Sequence, residues 1–172
     1  MQIMIFATGM GISCQDKIHK RFYSLNRIPI FKYMNKQYVD LLEPLFEPYS
    51  CQPGVTVVKQ GDRAEYLYLI VNGKVEVSFK PYDGVPITVS HVGKDGLFGW
   101  SALVGSYTYT SSVTAIEGLE TFRIHGSELR KFCMEYPEAG KEILERLATA
   151  VSSRWKNAHE EVKSLLLNAI RN

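Results

Sequence analysis

A helical spacing of hydrophobic residues opens the regular part of the chain, between Asn35 and Phe46. Val39, Leu42 and Phe46 follow one another three or four residues apart, as on one face of a helix. Asn35 is a good N-cap, because its short side chain accepts hydrogen bonds from the first free N–H groups of a helix. Pro44 has no N–H group and interrupts a helix. The pattern therefore predicts a helix that starts at Asn35 and ends near Leu42, with a further turn beyond it.

From about Val55 to Ile124 the hydrophobic positions alternate with a period of two, as in strands with one buried face. Residues 85–90 alternate in this way, which puts His91 on the face of the preceding hydrophobic residues. Glycine-containing turns separate the runs, and Asn72-Gly73 is the strongest hairpin signal because a type I′ turn needs positive φ at both central residues. Short strands at roughly 8–12-residue spacing are typical of a sandwich or barrel.

The helical spacing returns after the strands. Ser127 is a candidate N-cap for a short helix with Leu129, Phe132 and Cys133 on one face. Pro137 suits the first position of a second helix, where its missing N–H group costs nothing.

The last helix carries the clearest periodicity of the chain, with alternating steps of four and three residues that are typical of a coiled-coil seam. A helix of about 30 residues is ~45 Å long, which exceeds what a small sheet covers. We expect its first turns to lie on the chain's own sheet and its second half to pair with a second copy in a homodimer. The seam residues are Leu144, Ala148, Val151, Trp155, Ala158, Val162, Leu165 and Ala169.

The predicted fold is mainly β with flanking helices. It is an antiparallel double-stranded β-helix (jelly roll) with an N-terminal helix and a long C-terminal dimerisation helix. The predicted divisions are an N-terminal extension at residues 1–27, the roll with its flanking helices at 28–137, and the long helix at 138–172.

Composition narrows the class of protein without assigning a function. The 172 residues are 45% hydrophobic and 22% charged, which is typical of one globular domain, and a net charge of +2 gives no general attraction to nucleic acid or anionic lipid. Three cysteines in no metal-binding spacing fit a reducing compartment, which we expect to be the cytoplasm. No run approaches the ~20 apolar residues of a membrane span, so no membrane association is expected.

Sequence motifs for catalysis are absent. The four histidines (His19, His91, His125 and His159) are isolated, so no pair has the spacing that gathers a metal. No Gly-x-Ser-x-Gly or phosphate-loop motif occurs, although a Ser–His–acid group assembled in space stays open. We expect no enzyme, no metal and no resident cofactor, and His91 is expected to be a packed or rim residue.

The strand pattern pauses between Phe98 and Val113, in the most informative segment of the chain. Gly99 is followed by a short apolar piece and then by a hydroxyl-rich run. A single helical turn at Ser101–Val104 would direct its N–H groups and the positive end of its dipole at a bound anion. A solvated polar turn is the alternative that these residues leave equally open.

Three segments together resemble the cyclic nucleotide-binding domain superfamily, the sensor half of CRP/FNR-type regulators. They are PGVTVVKQGD, YLYLIVNGKVEVSF, and LFGWSALVG with the following TSSVTA. The likeness covers about Ile28 to Trp155. It implies that the segment after Phe98 is a phosphate-binding cassette. In that family a short helix and its backbone amides hold the cyclic phosphate, an Arg pairs with its charge, and a Glu accepts from the ribose 2′-hydroxyl.

This sequence departs from the family pattern at both polar anchors, with Trp100 at the Glu position and Tyr109 at the Arg position. An Arg–phosphate pair is worth roughly 1.5–3 kcal/mol, so its loss weakens binding about tenfold to a hundredfold. Ser112 stands where a hydroxyl often meets the base. The candidate ligand-binding residues are Phe98, Gly99, Trp100, Ser101, Ala102, Leu103, Thr108, Tyr109, Thr110, Ser111 and Ser112.

Two ways of compensating for the missing arginine stay open in the sequence. Arg63, Lys59 or Arg123 would reach in from neighbouring strands to hold a phosphate. Alternatively, Tyr107 and Tyr109 with the cassette tryptophan would line an aromatic pocket for a less charged ligand.

The resemblance implies a non-enzymatic ligand-sensing regulatory module that signals through its C-terminal helix, with a cyclic nucleotide such as cyclic AMP as a possible ligand. Ligand binding would shift the helix after Ser127 and the hinge at Tyr136-Pro137. No helix-turn-helix domain fits before Asn172, so direct DNA binding is not expected and the protein partner is unknown. The alternative is a roll that has lost its ligand and acts as a dimeric protein-interaction scaffold.

Overall fold

Two four-stranded antiparallel sheets face each other in the computed structural model, which describes residues 24–104 and 108–152. The strands in these residues are β1 (Glu47–Cys51), β2 (Thr56–Val58), β3 (Tyr66–Asn72), β4 (Val75–Phe79), β5 (Ile87–Val92), β6 (Leu97–Phe98), β7 (Ser112–Ala115) and β8 (Leu119–His125). The first sheet has the order β1-β8-β3-β6 and the second β2-β7-β4-β5. The predicted mainly β fold with flanking helices is confirmed.

The helices that flank the roll are α1 (Lys36–Leu42), α2 (Gly126–Glu135) and α3, which occupies residues 137–152 of the described chain. Asn35 caps α1 as predicted, because its Oδ1 accepts the Gln37 N–H at 2.9 Å. The further turn is a 3-10 turn at Glu43–Leu45. Pro137 begins α3 as predicted. Two more 3-10 turns, Leu25–Arg27 and Pro29–Phe31, precede α1.

The cap of α2 differs from the prediction. His125, and not Ser127, is the N-cap, and the His125 Nδ1 accepts the Ser127 N–H at 3.3 Å. β8 runs without a loop into the helix at Gly126, so the last strand residue has the extended backbone that an N-cap needs and Ser127 already lies inside the helix.

The predicted Asn72-Gly73 hairpin is wrong, because β3 and β4 belong to different sheets. Asn72 pairs with Glu120 in the first sheet, whereas Val75 begins a strand of the second. Gly73 has a φ of +90°, and a Cβ there would overlap the carbonyl oxygen of Gly118. The glycine therefore serves a tight corner between two sheets, where any side chain would collide with the neighbouring backbone.

The hairpin of the second sheet is formed by β4 and β5, and it contains a bulge. Phe79 pairs with Ile87 and Glu76 with His91, while the register shifts between them so that Val89 has no partner. Because Phe79 and Glu76 are three residues apart, their partners point to opposite faces. His91 thus leaves the face of Ile87, contrary to the prediction, and lies at the surface with its Nε2 3.7 Å from Glu76 Oε2.

The hydrophobic interior has two parts. The helix-side core lies between the first sheet and the helices, and it includes Leu67, Leu69, Ile124, Phe132, Ile143 and Leu147. The roll interior lies between the two sheets, and it includes Val58, Tyr68, Ile70, Val75, Phe98 and Tyr109.

α3 packs on the helix-side core through a different face from the predicted seam. Ile143 and Leu147 are buried, whereas Leu144 is 46% exposed and Ala148 is exposed. Val151 is half-buried against the same core. The seam residues from Trp155 onward lie outside the described residues, so the pairing of this seam with a second copy stays a prediction.

Within the described ranges, no helix is both long and apolar enough to cross a membrane. Burial raises the pKa of the Cys133 thiol.

Candidate functional site

A cavity of about 340 Å³ lies between the second sheet, the Trp100–Ala102 turn and α3. Seven of the eleven predicted ligand-binding residues line it: Phe98, Gly99, Trp100, Ser101, Tyr109, Thr110 and Ser111. The structure thus brings residues 98–101 and 109–111, the two ends of the predicted ligand-binding segment, together around one cavity.

The other four predicted residues are outside the cavity lining. Thr108 forms an isolated bridge with Arg63. The Ser112 hydroxyl accepts the backbone N–H of Gln60 at 2.9 Å, so it fastens β7 to the segment after β2. Ala102 is the buried last residue of the turn, and Leu103 follows it.

Residues from the strands and from α3 complete the wall, and sequence reasoning did not assign them to the site. They are Val58, Val77, Phe79, Val89, Ser90, Val113 and Val151. The alternation in β4 was a usable signal, since it puts Val77 and Phe79 on one face. Nothing local indicated that this face lines a cavity, because that depends on how the two sheets curve around it.

The cassette turn begins one residue earlier than predicted, at Trp100. The Ala102 N–H donates to the Gly99 carbonyl at 3.1 Å, so the Trp100 and Ser101 N–H groups come before the first hydrogen bond of the turn. Gly99 has a φ of +77°, and a Cβ there would be 2.5 Å from the Tyr66 carbonyl oxygen. The turn is therefore pressed against the start of β3, where only glycine fits.

Tyr109 braces the cavity from the position of the family's arginine. Its hydroxyl donates to the Tyr66 carbonyl and accepts the Tyr66 N–H, both at 3.0 Å. The side chain is 7% exposed, and burial raises the pKa of its phenol. With both hydrogen bonds made to the backbone of β3, this phenol does not take over the arginine's role toward a phosphate.

Behind the cavity, aromatic rings stack in the roll interior. Tyr68 lies flat on Phe98, with ring centroids 4.6 Å apart and planes 5° from parallel. Burial is the main cause that raises the pKa of Tyr68 to about 12, against the opposing effect of the nearby Arg123. The Tyr68 phenol behind the cavity is therefore neutral at physiological pH.

The three cations proposed to replace the arginine are all outside the cavity lining. The Arg63 side chain is 84% exposed, and its Nε is 3.6 Å from Glu65 Oε1. Arg123 Nη2 is 3.0 Å from Glu47 Oε2, and its guanidinium lies 4.4 Å from the centre of the Tyr66 ring. Lys59 is exposed. Among the described residues, no charged side chain lines the cavity.

The cavity contacts the helices directly. Arg130 of α2 donates to the Ala102 carbonyl at the end of the cassette turn. Gly126, the first residue of α2, lies so close to the same carbonyl that a Cβ would overlap it. Trp100 packs against the helix-side core, and Val151 of α3 lines the cavity.

No group of three or more His, Cys, Asp or Glu side chains that could hold a metal occurs in residues 24–104 and 108–152. That the chain binds no metal stays a prediction from the sequence.

Comparison with known proteins agrees with the architecture. The family model described as "Cyclic nucleotide-binding domain" matches residues 49–136. A CRP-like cAMP-activated global transcriptional regulator of Mycobacterium tuberculosis is 27% identical over 124 residues, which are 72% of this chain and 55% of the regulator. The chain thus spans about half the length of that relative.

Two further proteins are similar to this chain. A cAMP-dependent protein kinase regulatory subunit of Dictyostelium discoideum is 28% identical over 120 residues, covering 68% of this chain and 36% of the subunit. The Thermus thermophilus catabolite activator protein superposes with a TM-score of 0.63 at 25% identity, covering 80% of this chain and 62% of that one. With the family model matching just over half of its residues, the chain belongs to the cyclic nucleotide-binding domain family.

Proposed function

We propose that this chain is a non-enzymatic sensor of a small molecule, and that its output passes through α3. The observation that carries the proposal is the composition of the cavity wall, which joins the cassette turn and Val151 of α3 in one site. A ligand in this cavity touches the output helix itself. The relatives named as a transcriptional regulator and as a kinase regulatory subunit support a regulatory role.

The route from the cavity to the helices is short. A ligand that repositions the cassette turn moves the Ala102 carbonyl, which accepts from Arg130 and is in contact with Gly126. α2 is joined to α3 at Tyr136, where the helical backbone is interrupted for one residue. A ligand with different contacts in two positions of these helices shifts the population between the two positions.

Hydrogen bonds also connect α3 to the 3-10 turns that precede α1. Arg146 Nη1 donates to the carbonyl of Ile30 at 3.0 Å and to that of Lys32 at 2.6 Å, while its Nη2 is 2.6 Å from Glu142 Oε1. A displacement of α3 therefore breaks these hydrogen bonds or carries the turn at Pro29–Phe31 with it.

The output surface that we propose is the exposed seam of α3, which begins at Leu144 and Ala148 and pairs with a second copy of the chain. A direct contact with DNA forms no part of this mechanism, and the downstream protein partner is open. The cytoplasmic location stays a prediction. A second candidate function, a dimeric scaffold without a ligand, is favoured by the described part of the cavity wall, in which no side chain is charged.

Hydrogen–deuterium exchange distinguishes the two functions. Cyclic AMP, cyclic GMP and uncharged aromatic compounds would first be screened by thermal shift. A ligand at 100 times its Kd adds ~2.7 kcal/mol, or roughly 5–10 °C for a domain of this size. For a compound that binds, we expect exchange to slow in residues 126–152.

A bound ligand that leaves the exchange of α2 and α3 unchanged would contradict signalling through α3. A panel in which no compound raises the melting temperature would favour the scaffold.

A further inference from the structure

The cavity wall also indicates the chemistry of the ligand. We propose that the cavity takes an uncharged, mainly apolar ring compound that carries a hydroxyl or carbonyl group, in place of a cyclic nucleotide. The inference rests on the proposed function, because it concerns the same cavity, and it specifies the class of ligand that the sensor responds to.

Most of the wall is apolar. Valine side chains from β2, β4, β5, β7 and α3 line it, together with aromatic residues of β4, β6 and the cassette turn, among them Val77, Val113, Phe79 and Trp100. Apolar surface of this kind stabilises a ligand in proportion to the apolar area that both remove from water. A phosphate and a ribose offer little such area, whereas a hydrocarbon or aromatic ring offers it on every face.

Among the residues that the structure describes, no side chain of opposite charge lines the cavity to pair with an anion. A cyclic phosphodiester carries its negative charge at every physiological pH, and burying a charge without a counter-charge is strongly unfavourable. Arg123 is held by Glu47, and Arg63 lies in solvent beside Glu65. The described wall contains no charged side chain that would replace them.

The polar residues of the wall suit a neutral group. Ser90, Ser101, Thr110 and Ser111 bring hydroxyls, each of which both donates and accepts a hydrogen bond. Hydroxyls of this kind satisfy a ligand hydroxyl or carbonyl fully. Hydroxyls also donate to a phosphate, but they bring no positive charge to neutralise it once it is buried.

Two fixed rings set the shape of the cavity. Its volume of about 340 Å³ is near the lower end of small-molecule sites, which are ~300–1,000 Å³. Trp100 stands where the family's Glu meets the ribose, and it packs against the helix-side core. Tyr109 is fixed by two hydrogen bonds to Tyr66. Neither ring moves aside without breaking these contacts.

A matched pair of probes tests the proposal by calorimetry on the full chain at pH 7. 1-Naphthol is neutral there, whereas 1-naphthyl phosphate has the same ring and a negatively charged phosphate; cyclic AMP is the third probe. We expect 1-naphthol to bind at least about tenfold more tightly than either anion, which is ~1.4 kcal/mol. Binding of 1-naphthyl phosphate or cyclic AMP as tight as that of 1-naphthol overturns the proposal, and so does the absence of 1-naphthol binding at millimolar concentration.

Two tryptophan substitutions locate the binding. Val89→Trp puts a large ring into the mouth of the cavity, because Val89 lines it and is 49% exposed. Ile87→Trp is the control on the same strand, with 55% exposure and outside the lining. We expect Val89→Trp to weaken 1-naphthol binding by at least about tenfold, equivalent to ~1.4 kcal/mol, and Ile87→Trp to leave it unchanged. Equal effects of the two variants overturn the assignment to this cavity.

The outcomes separate this inference from the proposed function. If cyclic AMP binds best and alters the exchange of α3, the ligand class is wrong and the sensor function stands. If 1-naphthol binds in the cavity and α3 exchange is unchanged, the ligand class stands and signalling through α3 is wrong.

Discussion

Tyr109 shows at the scale of one residue how a binding position became a structural one. Where the family has an arginine directed at phosphate, this chain has a phenol that satisfies both backbone groups of Tyr66. These hydrogen bonds of the tyrosine join the segment after the cassette turn to the start of β3. The replacement of arginine by tyrosine removes a positive charge from the cavity and adds rigidity to its wall.

Replacing this phenol tests the structural role. Tyr109→Phe keeps the ring and leaves a part-buried donor and acceptor of Tyr66 without their partner, which destabilises by about 1–3 kcal/mol. We expect a decrease of this size in the free energy of unfolding, measured by urea denaturation. Tyr82→Phe is the control, because Tyr82 is fully exposed. A Tyr109→Phe protein as stable as the control would show that the hydrogen bonds of the Tyr109 hydroxyl do not stabilise the fold.

Gly99 is the second residue whose identity the packing requires. Gly99→Ala adds a Cβ that would be 2.5 Å from the Tyr66 carbonyl oxygen, at a positive φ that alanine adopts with strain. We expect a loss of about 1–3 kcal/mol in unfolding free energy. Gly93→Ala is the matched control, since its Cβ would meet nothing within 4 Å. Equal stability of the two variants would contradict the close approach at Gly99.

At the scale of an element, α3 is held by contacts on two sides. Its buried face lies on the helix-side core through Ile143 and Leu147. Its flank is fastened by Arg146 to the carbonyls of Ile30 and Lys32. The helix therefore connects the cavity at Val151 with the N-terminal turns.

Arg146→Met preserves the aliphatic part of the side chain and removes its hydrogen bonds. Hydrogen bonds to charged groups are worth about 1.5–3 kcal/mol, so we expect faster amide exchange in residues 24–34 and a loss of stability of this order. Lys141→Met, at an exposed position of the same helix, should leave that exchange unchanged. If residues 24–34 exchange alike in both variants, Arg146 does not hold the N-terminal turns.

At the scale of the whole molecule, the face of α3 that carries Leu144 and Ala148 is exposed, next to Gly140 of the same helix and Cys133 of α2. An exposed apolar stripe that continues a seven-residue repeat in the sequence is typical of a helix that pairs with another helix. We expect the second copy of the chain to cover it.

Leu144→Asp tests this assembly. A buried carboxylate in a helix pair is strongly unfavourable without a partner, so we expect a monomer by analytical ultracentrifugation where the unmodified chain is a dimer. Leu41→Asp is a close control, because Leu41 of α1 is 45% exposed and Leu144 is 46% exposed. Dimerisation that survives Leu144→Asp would place the interface elsewhere.

Local patterns in the sequence were sufficient for the features that depend on neighbours in the chain. The Asn35 cap, the interruption after Leu42 and the start of α3 at Pro137 involve residues within one or two turns of each other. The alternation of the strands and the pause after Phe98 also follow from adjacent residues. These features predicted the mainly β fold and located seven of the cavity residues.

Only the tertiary structure decided the features that depend on distant residues. Asn72-Gly73 has the composition of a hairpin turn, but the pairing of Asn72 with Glu120 assigns β3 and β4 to different sheets. The bulge at Val89 turned His91 to the other face. The sequence also left open whether Arg123 reaches the cavity. In the structure, Arg123 pairs with Glu47, which is far away in the sequence, and its charge stays outside the cavity lining. A sequence predicts which groups a chain carries, whereas the contacts between distant segments decide which of them meet.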